Sequence, residues 1–238
     1  MILQLEGLSK AFGSIVVADC VDLAVAEGTA LGVIGPNGAG KTSLFNLVTG
    51  ALTPDAGIIR LSGRDITAEP PQARARGGIA RSFQIPQPFA NLSVFENLLV
   101  GATHARDRSE SDVAERCGAV LEATGLLRLA NRRAGSLTLL ERKRLELARA
   151  LATEPRLLLL DEIAGGLSEH ECNELVATIR DVRATGVTIV WIEHVVHALL
   201  AVVDRLFVLN FGRKIAEGEP GAVIASQEVR GIYLGIEA

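Results

Sequence analysis

The fold is decided by one stretch early in the chain, Ala30-Leu31-Gly32-Val33-Ile34-Gly35-Pro36-Asn37-Gly38-Ala39-Gly40-Lys41-Thr42-Ser43. Its first five residues form a continuous apolar run, which is typical of a parallel strand buried on both faces. A glycine-rich turn follows, and the pattern from about Gly40 onward predicts a helix. The stretch therefore predicts a strand that feeds a helix through a tight turn, which is the basic unit of an α/β fold.

The rest of the chain extends this unit. Apolar runs at residues 157–160 and 187–192 are each followed by a helical pattern, as in a doubly wound sheet. Alternating apolar and polar residues within the first thirty positions predict short antiparallel strands. The expected fold class is therefore α/β: a mostly parallel sheet flanked by helices, with an N-terminal antiparallel β-subdomain.

A helical segment is expected to interrupt this core. No buried-strand run occurs between residues 85 and 150, where helical patterns at residues 113–124 and 137–151 dominate. We expect residues 1–238 to form one domain. Its core is expected at residues 1–84 and 152–238, with an inserted α-helical subdomain at residues 85–151.

The start of this helical segment has local signals of its own. Ser93 and Glu96 form a capping-box pattern, which predicts a helix that begins there and ends near Val100. Residues 103–112 are polar and charged without periodicity, so we expect an exposed loop.

Composition excludes several classes of protein. The 238 residues are 48% hydrophobic and 22% charged, which is ordinary for a globular domain and excludes a disordered chain. A formal net charge of −4 argues against nucleic acid as the main ligand. No apolar run approaches the ~18 residues that would span a bilayer, and the N-terminal residues do not resemble a secretory signal. Three widely spaced cysteines fit a reducing cytosol better than a disulfide framework.

The glycine-rich turn carries the first chemical prediction. Residues 35–42 match G-x-x-x-x-G-K-[ST] between a predicted strand and a predicted helix, which indicates a P-loop NTPase core. Glycines let main-chain N–H groups point at phosphate oxygens, and the helix N-terminus adds a partial positive charge. We expect Lys41 to reach the β- and γ-phosphates and the Thr42 hydroxyl to bind Mg²⁺. The expected nucleotide-binding residues of this loop are Gly35, Pro36, Asn37, Gly38, Ala39, Gly40, Lys41, Thr42 and Ser43. The alternative is an ordinary glycine-rich turn with a solvated lysine.

Two adjacent acids give the second prediction. Asp161 and Glu162 directly follow four leucines, at the end of a strand with no polar face. Open α/β sheets bind ligands beyond the carboxyl ends of their strands. Asp161 is therefore expected to hold Mg²⁺, directly or through water, and Glu162 to polarise an attacking water. The alternative is that both acids simply face solvent.

Three further residues complete a family pattern: Phe12 in Ser9-Lys10-Ala11-Phe12-Gly13, Gln84 in Arg81-Ser82-Phe83-Gln84, and His194 in Trp191-Ile192-Glu193-His194. Together with the two motifs above, they make the chain resemble the nucleotide-binding subunit of an ATP-binding cassette (ABC) transporter over essentially its whole length. The resemblance implies that Phe12 stacks on adenine, that Gln84 couples Mg²⁺ and water to the membrane-facing surface, and that His194 contacts the γ-phosphate. The alternatives are a packed phenylalanine, a surface glutamine and a structural histidine.

One family motif is altered. The L-S-G-G-Q signature aligns with Leu137-Thr138-Leu139-Leu140-Glu141, so Thr138 keeps the hydroxyl while leucines replace both glycines. In the family this segment of one subunit caps the γ-phosphate held by another subunit, so Thr138 is implied as a nucleotide contact. The two leucines are expected to limit how closely the main chain approaches phosphate. The alternative is an amphipathic helix start without a ligand.

The segment after the two acids permits two interpretations. Residues 163–168 resemble the D-loop that crosses the cassette dimer interface, although Ser168 stands where the family often has aspartate. Ser168 also forms a capping-box pattern with Glu171, which predicts the start of a helix to about Ala184. Both interpretations stay open from the sequence.

Several linking segments are similar to the ATPase subunits of bacterial branched-chain amino acid uptake systems. These segments lie at residues 78–84, 91–98, 193–194, 215–220 and 232–235. The resemblance implies ATP and Mg²⁺ as ligands and a second ABC ATPase subunit, two transmembrane permease subunits and, indirectly, a periplasmic solute-binding protein as partners, without nucleic acid. It also implies a peripheral location on the cytoplasmic face of the inner membrane. The competing interpretations are a soluble non-transport cassette ATPase and a P-loop kinase.

Overall fold

The structure is a computed structural model that describes residues 1–106 and 109–234. Its strands are β1 (Leu3–Phe12), β2 (Ile15–Val25), β3 (Ala30–Ile34), β4 (Ala56–Leu61), β5 (Arg64–Asp65), β6 (Ile79–Arg81), β7 (Leu157–Asp161), β8 (Thr188–Ile192), β9 (Arg205–Asn210) and β10 (Arg213–Gly218). Its helices are α1 (Lys41–Thr49), α2 (Pro71–Arg76), α3 (Val94–Arg106), α4 (Glu110–Ala123), α5 (Leu139–Ala152), α6 (Glu169–Ala184), α7 (Val196–Leu200), α8 (Pro220–Ala225) and α9 (Gln227–Leu234).

The strands form two sheets. One is antiparallel, with the order β2-β1-β4-β5, and the other has the order β10-β9-β3-β8-β7-β6. In the second sheet all neighbouring strands are parallel except β10 and β9. This arrangement confirms the expected α/β class with an antiparallel β-subdomain.

The four leucines of β7 show why this strand lies in the middle of the fold. Leu157 and Leu159 pack into a core shared with the antiparallel sheet and α1. Leu158 and Leu160 point to the opposite face and pack with residues of α5 and α6. Because successive side chains alternate between the two faces of a sheet, a strand covered on both sides needs an unbroken apolar run.

The expectation of an exposed loop at residues 103–112 is wrong. Helix α3 continues through its described residues to Arg106 rather than ending near Val100, and α4 already begins at Glu110 behind the N-cap residue Ser109. Glu110 and Asp112 form exposed helix surface, which needs no apolar periodicity, while residues 107 and 108 of the expected loop lie outside the described residues. The capping box at Ser93 is confirmed, since Ser93 N donates to Glu96 Oε2 at 2.7 Å and Glu96 N donates to Ser93 Oγ at 3.1 Å.

Some features were not predicted. Strands β4, β5 and β6 have two to six residues, which is too short for a periodic signal, and β6 lies at the edge of the parallel sheet. The division of the chain near residues 85 and 151 stays a prediction, as does the tail motif at residues 232–235, which extends beyond the described residues. Within the described ranges, no helix combines the length and apolar character needed to cross a bilayer.

Candidate active site

At its last residue, Gly40, the turn between β3 and α1 has a main-chain conformation that requires glycine. Gly40 has φ +103° and precedes the first residue of α1, and no side chain caps this helix. A Cβ at Gly40 would lie 2.2 Å from the carbonyl oxygen of Val17. The first turn of α1 also contains no acidic residue. The uncapped N–H groups at this helix start therefore suit an anion such as phosphate.

Lys41 lies folded back along this turn. Its buried Nζ donates to the carbonyl oxygens of Gly35 at 2.8 Å and Pro36 at 3.0 Å. Burial lowers the pKa of Lys41, while the negative charges of Glu162 and Asp161 act in the opposite direction. The ammonium group thus lies against the turn, close enough to the two acids to be affected by their charge, and its contact with phosphate stays a prediction.

Asp161 ends β7 and is buried against an arginine that sequence reasoning missed. Arg81 Nη2 lies 2.5 Å from Asp161 Oδ2, and Arg81 Nη1 donates to Asn46 Oδ1 of α1 at 2.6 Å. The rings of Phe45 and Phe83 lie 5.6 and 5.2 Å from the guanidinium carbon. The arginine therefore joins the strand end that carries Asp161 to the helix that follows the glycine-rich turn. Its signal in the sequence is a lone cation at the end of an otherwise apolar strand.

The Glu162 carboxylate is held between two other predicted residues. Gln84 Nε2 donates to Glu162 Oε2 at 2.6 Å, and His194 Nε2 lies 2.8 Å from Glu162 Oε1. The main chain of Glu162 has φ +45°, an uncommon value for a residue with a side chain, and its N–H donates to the carbonyl oxygen of Ile192 at 2.8 Å. Three residues that are distant in sequence thus meet at one carboxylate beyond the strand ends.

Glu193 is a second residue that sequence reasoning missed. Its carboxylate is buried and accepts main-chain N–H groups, from Ala164 at 3.0 Å, His194 at 2.9 Å and Val195 at 3.3 Å. These bonds fix the main chain of His194 relative to the segment after Glu162. The only sequence signal was a glutamate at the end of an apolar run.

Lys143 of α5 is a third missed residue. Its side chain is buried, and Nζ donates to the main-chain carbonyl oxygens of Gln84 at 2.6 Å and Glu162 at 3.4 Å. In the sequence this lysine is one of four consecutive charged residues, Glu141 to Arg144, and nothing sets it apart from its neighbours. The structure instead connects α5 to two residues of the cluster around Glu162.

Phe12 and Thr138 lie on other elements. Phe12 ends β1 with 49% of its surface exposed, and Lys10 Nζ lies 5.3 Å from its ring centroid. Thr138 is the N-cap of α5: its Oγ1 accepts from Glu141 N at 3.3 Å, and its N–H donates to Glu141 Oε2 at 2.7 Å. The hydroxyl of the signature segment therefore already has a partner within the chain.

The two leucines of the signature segment differ in their surroundings. Leu139 is 44% exposed. Its Cδ2 lies 3.4 Å from the position that a Cβ would take at Gly166, in the segment before α6. Leu140 is only 9% exposed and belongs to the core. Of the two, Leu139 is the one that can meet another molecule.

Ser168 caps α6 as the pattern with Glu171 predicted. Glu171 N donates to Ser168 Oγ at 3.4 Å, and Ser168 N donates to Glu171 Oε2 at 2.9 Å. Helix α6 ends at Ala184, as expected. The capping role is confirmed, whereas the D-loop role of residues 163–168 stays a prediction.

Comparisons with known proteins agree with this geometry. The family model for the ABC transporter matches residues 18–165. The high-affinity branched-chain amino acid transport ATP-binding protein BraF of Pseudomonas aeruginosa is 38% identical over 98% of both chains. The lipopolysaccharide export system ATP-binding protein LptB of Acidithiobacillus ferridurans is 37% identical over 98% of this chain and 97% of its own. The crystal structure of the ADP conformation of MJ1267, an ATP-binding cassette of an ABC transporter, superposes with a TM-score of 0.90 at 33% identity over 99% of both chains.

These matches favour the cassette over the P-loop kinase, and they span the glycine-rich turn and both acids. The family model covers more than half of the chain, and the match to BraF covers 98% of both chains. The chain therefore belongs to the ABC transporter family, as an ATP-binding and ATP-hydrolysing cassette subunit.

Proposed function

We propose that this cassette is the ATP-hydrolysing subunit of an importer for branched-chain amino acids or a related small polar solute. The observation that carries the catalytic part is the Glu162 carboxylate held by Gln84 and His194 beyond the strand ends. The similarity to BraF over nearly the whole chain supports the solute class. The similarity to LptB, an export protein by its name, makes export the alternative direction.

In the proposed mechanism, the phosphates of ATP bind to main-chain N–H groups between Gly35 and Gly40, to the Lys41 ammonium and to Ser43 in the first turn of α1. The exposed Phe12 ring stacks on adenine. Thr42, Asp161 and Gln84 supply oxygen atoms of the kind that Mg²⁺ prefers. Within residues 1–106 and 109–234 no cluster of three metal-ligating His, Cys, Asp or Glu side chains occurs, so phosphate and water would complete the coordination. When bound, Mg²⁺ would neutralise phosphate charge.

Glu162 acts as the general base in this proposal. Each of its carboxylate oxygens has one donor in the structure and keeps a second lone pair that can accept from a water. His194 is the donor that a γ-phosphate oxygen would attract, because its Nε2 can bond to either acceptor. Arrival of ATP would thus free one oxygen of Glu162 while Gln84 keeps the other oriented.

The substitution Glu162→Gln tests this role. Turnover should fall by about 10²–10⁴-fold while ATP affinity stays near that of the wild type, since the amide cannot accept the proton. Glu96→Gln is the matched control, because it makes the same chemical change in the capping box of α3 and should leave turnover near the wild-type rate. Wild-type hydrolysis by Glu162→Gln would remove Glu162 from this role.

The proposal includes a second cassette subunit and two transmembrane subunits, with a periplasmic solute-binding protein delivering the solute and the cassette at the cytoplasmic face of the inner membrane. The segment after Gln84 supports a membrane-subunit contact, since Ile85 is 70% exposed and Phe89 is also exposed. A groove at Gln84 and residues 85–89 would receive a cytoplasmic helix of a membrane subunit. Co-purification with membrane proteins would support this assembly, and purification of the tagged chain without any would contradict it.

Transport itself gives the test of solute and direction. Vesicles containing the assembled complex and its binding protein should take up labelled leucine, isoleucine or valine only with ATP on the cassette side. ATP-dependent extraction of lipopolysaccharide, without uptake of any amino acid, would establish the export alternative.

A further inference from the structure

Lys143 has an environment that is unusual for a lysine on a helix. Only 2% of its surface is exposed, and its Nζ lies between two main-chain carbonyl oxygens from different segments. One belongs to Gln84, which follows the edge strand β6, and the other to Glu162, which follows β7. A single ammonium group therefore bridges the two segments whose side chains meet at the Glu162 carboxylate.

Burial has the largest effect on the pKa of Lys143 and lowers it. The nearby acids Glu193, Glu162, Glu146 and Asp161, from largest to smallest effect, partly offset this and favour the protonated form. A buried ammonium without hydrogen-bond acceptors is costly, so the two carbonyl oxygens are part of what makes this position acceptable for lysine.

The same cluster is connected from the opposite side. Glu193 binds the main-chain N–H groups of Ala164 and His194, and thus joins the segment after Glu162 to the segment that carries the histidine. Lys143 joins Glu162 to Gln84 through carbonyl oxygens. One buried cation and one buried anion therefore fix the main chain of all three residues around the carboxylate.

We propose that Lys143 is a positioning residue for hydrolysis: its ammonium group holds the main chains of Gln84 and Glu162 together, so that the Gln84 amide orients the Glu162 carboxylate. The bridge also ties this orientation to α5, the helix that begins at the signature segment. A shift of α5 relative to β7 would change the distance between Gln84 and Glu162. This inference rests on the roles proposed above for those two residues.

The direct test is Lys143→Met, which keeps the length of the side chain and removes its donors. Measured on the full chain in the complex with which it purifies, kcat should fall by about tenfold or more while the KM for ATP changes by less than about twofold. Lys143→Arg keeps two donors and should recover kcat to within about threefold of the wild type. A wild-type kcat in Lys143→Met would overturn the proposal.

The neighbouring Arg144 offers a matched control. It bonds to Glu174 of α6 at 2.9 Å, away from Glu162. Arg144→Met removes a cation from the same helix and should leave kcat within about twofold of the wild type. An equal fall of kcat in Arg144→Met and Lys143→Met would show general damage to α5 and overturn the proposal.

A double-mutant cycle separates positioning from loss of structure. If Lys143 acts through Gln84, adding Lys143→Met to Gln84→Ala should lower kcat by clearly less than it does in the wild type. Full additivity of the two losses would overturn the proposal. If Lys143→Met fails to fold, Lys143→Gln, with a shorter donor, should show an intermediate kcat; a folded Lys143→Gln with wild-type kcat would equally overturn it.

The outcomes also distinguish this inference from the proposed function. Unchanged turnover in both Glu162→Gln and Gln84→Ala would overturn the catalytic roles themselves. Impaired turnover in those two variants, together with wild-type turnover in Lys143→Met, would overturn only the role of Lys143.

Discussion

The glycine-rich turn at residues 35–42 and the signature segment at residues 137–141 both lead into a helix N-terminus, but they treat its free N–H groups differently. No side chain caps α1, and Gly40 takes a conformation reserved for glycine. The N-terminus of helix α5 is capped by Thr138 and Glu141, and leucines stand where the family signature has glycines. The comparison teaches that a helix start becomes an anion site only where the chain itself leaves its N–H groups unused.

The largest effect on ATP binding is expected where the glycine-rich turn loses its last glycine. Gly40→Ala would place a Cβ 2.2 Å from the Val17 carbonyl oxygen, at a φ that disfavours any side chain. We expect ATP affinity to fall by about a hundredfold or more, equivalent to about 3 kcal/mol, measured with a fluorescent nucleotide. Gly38→Ala is the control, because Gly38 also has positive φ but no atom lies within 4 Å of its Cβ position. Equal affinities of the two variants would contradict the steric argument.

The next effect concerns the two leucines of the signature segment. Leu140→Gly should destabilise the protein by about 2–5 kcal/mol, since Leu140 is part of the core. Leu139→Gly should cost about 1 kcal/mol and raise the ATPase rate of the assembled complex, if the exposed side chain keeps a partner's phosphate away. Chemical denaturation and turnover measurements separate the two variants. An unchanged rate in Leu139→Gly would show that this leucine is not the obstacle.

A smaller effect is expected from removing the cap of α5. Thr138→Ala should cost about 1 kcal/mol of stability, or a fall in Tm of about 2–4 °C for a chain of this size. Ser168→Ala removes the equivalent cap of α6 and should cost a similar amount. If Thr138 also contacts nucleotide across a dimer, only Thr138→Ala should lower the turnover of the complex. Equal turnover in the two variants would restrict Thr138 to its capping role.

The smallest expected effect is a pH dependence of the stability that the exposed capping box of α6 contributes. The hydrogen bonds from Ser168 lower the pKa of Glu171 below its ordinary value of 4.5. A carboxyl group with a lowered folded pKa adds stability above pH 4.5, and this contribution is lost as the pH falls through the folded pKa. Glu171→Gln should therefore have a slightly lower Tm than the wild type at pH 7, and the difference should disappear in acid. A constant difference across pH would contradict this assignment.

The parts of the fold that could be predicted are those whose burial leaves a pattern in the residues themselves. The apolar runs of β3, β7 and β8 were recognised because strands covered on both faces need them. The capping boxes were recognised because two side chains at fixed spacing form them. In contrast, β6 is three residues long, and the largely polar helical residues at 103–106 and 110–112 were taken for part of a loop.

The active-site residues also divide into those that the sequence predicted and those that it did not. The glycine-rich turn and the two acids followed from their chemistry, whereas Gln84 and His194 were identified only by family resemblance and their meeting at Glu162 was not predicted. Lys143 and Glu193 were missed because both bind main-chain atoms of distant segments, and such bonds impose no residue type on their partners. Buried charged groups of this kind look like surface residues until the fold is known.

Strand β6 has a consequence for how the cassette could respond to a membrane protein. It is the outermost strand of its sheet and pairs with β7 over three residues, just before Gln84. Few ladder hydrogen bonds join β6 to the rest of the sheet. Amide hydrogens at residues 79–82 should therefore exchange with deuterium before those of β7 and β8. A membrane protein that moves this edge would act on the cluster around Glu162 through the Arg81–Asp161 ion pair and the Lys143 contacts.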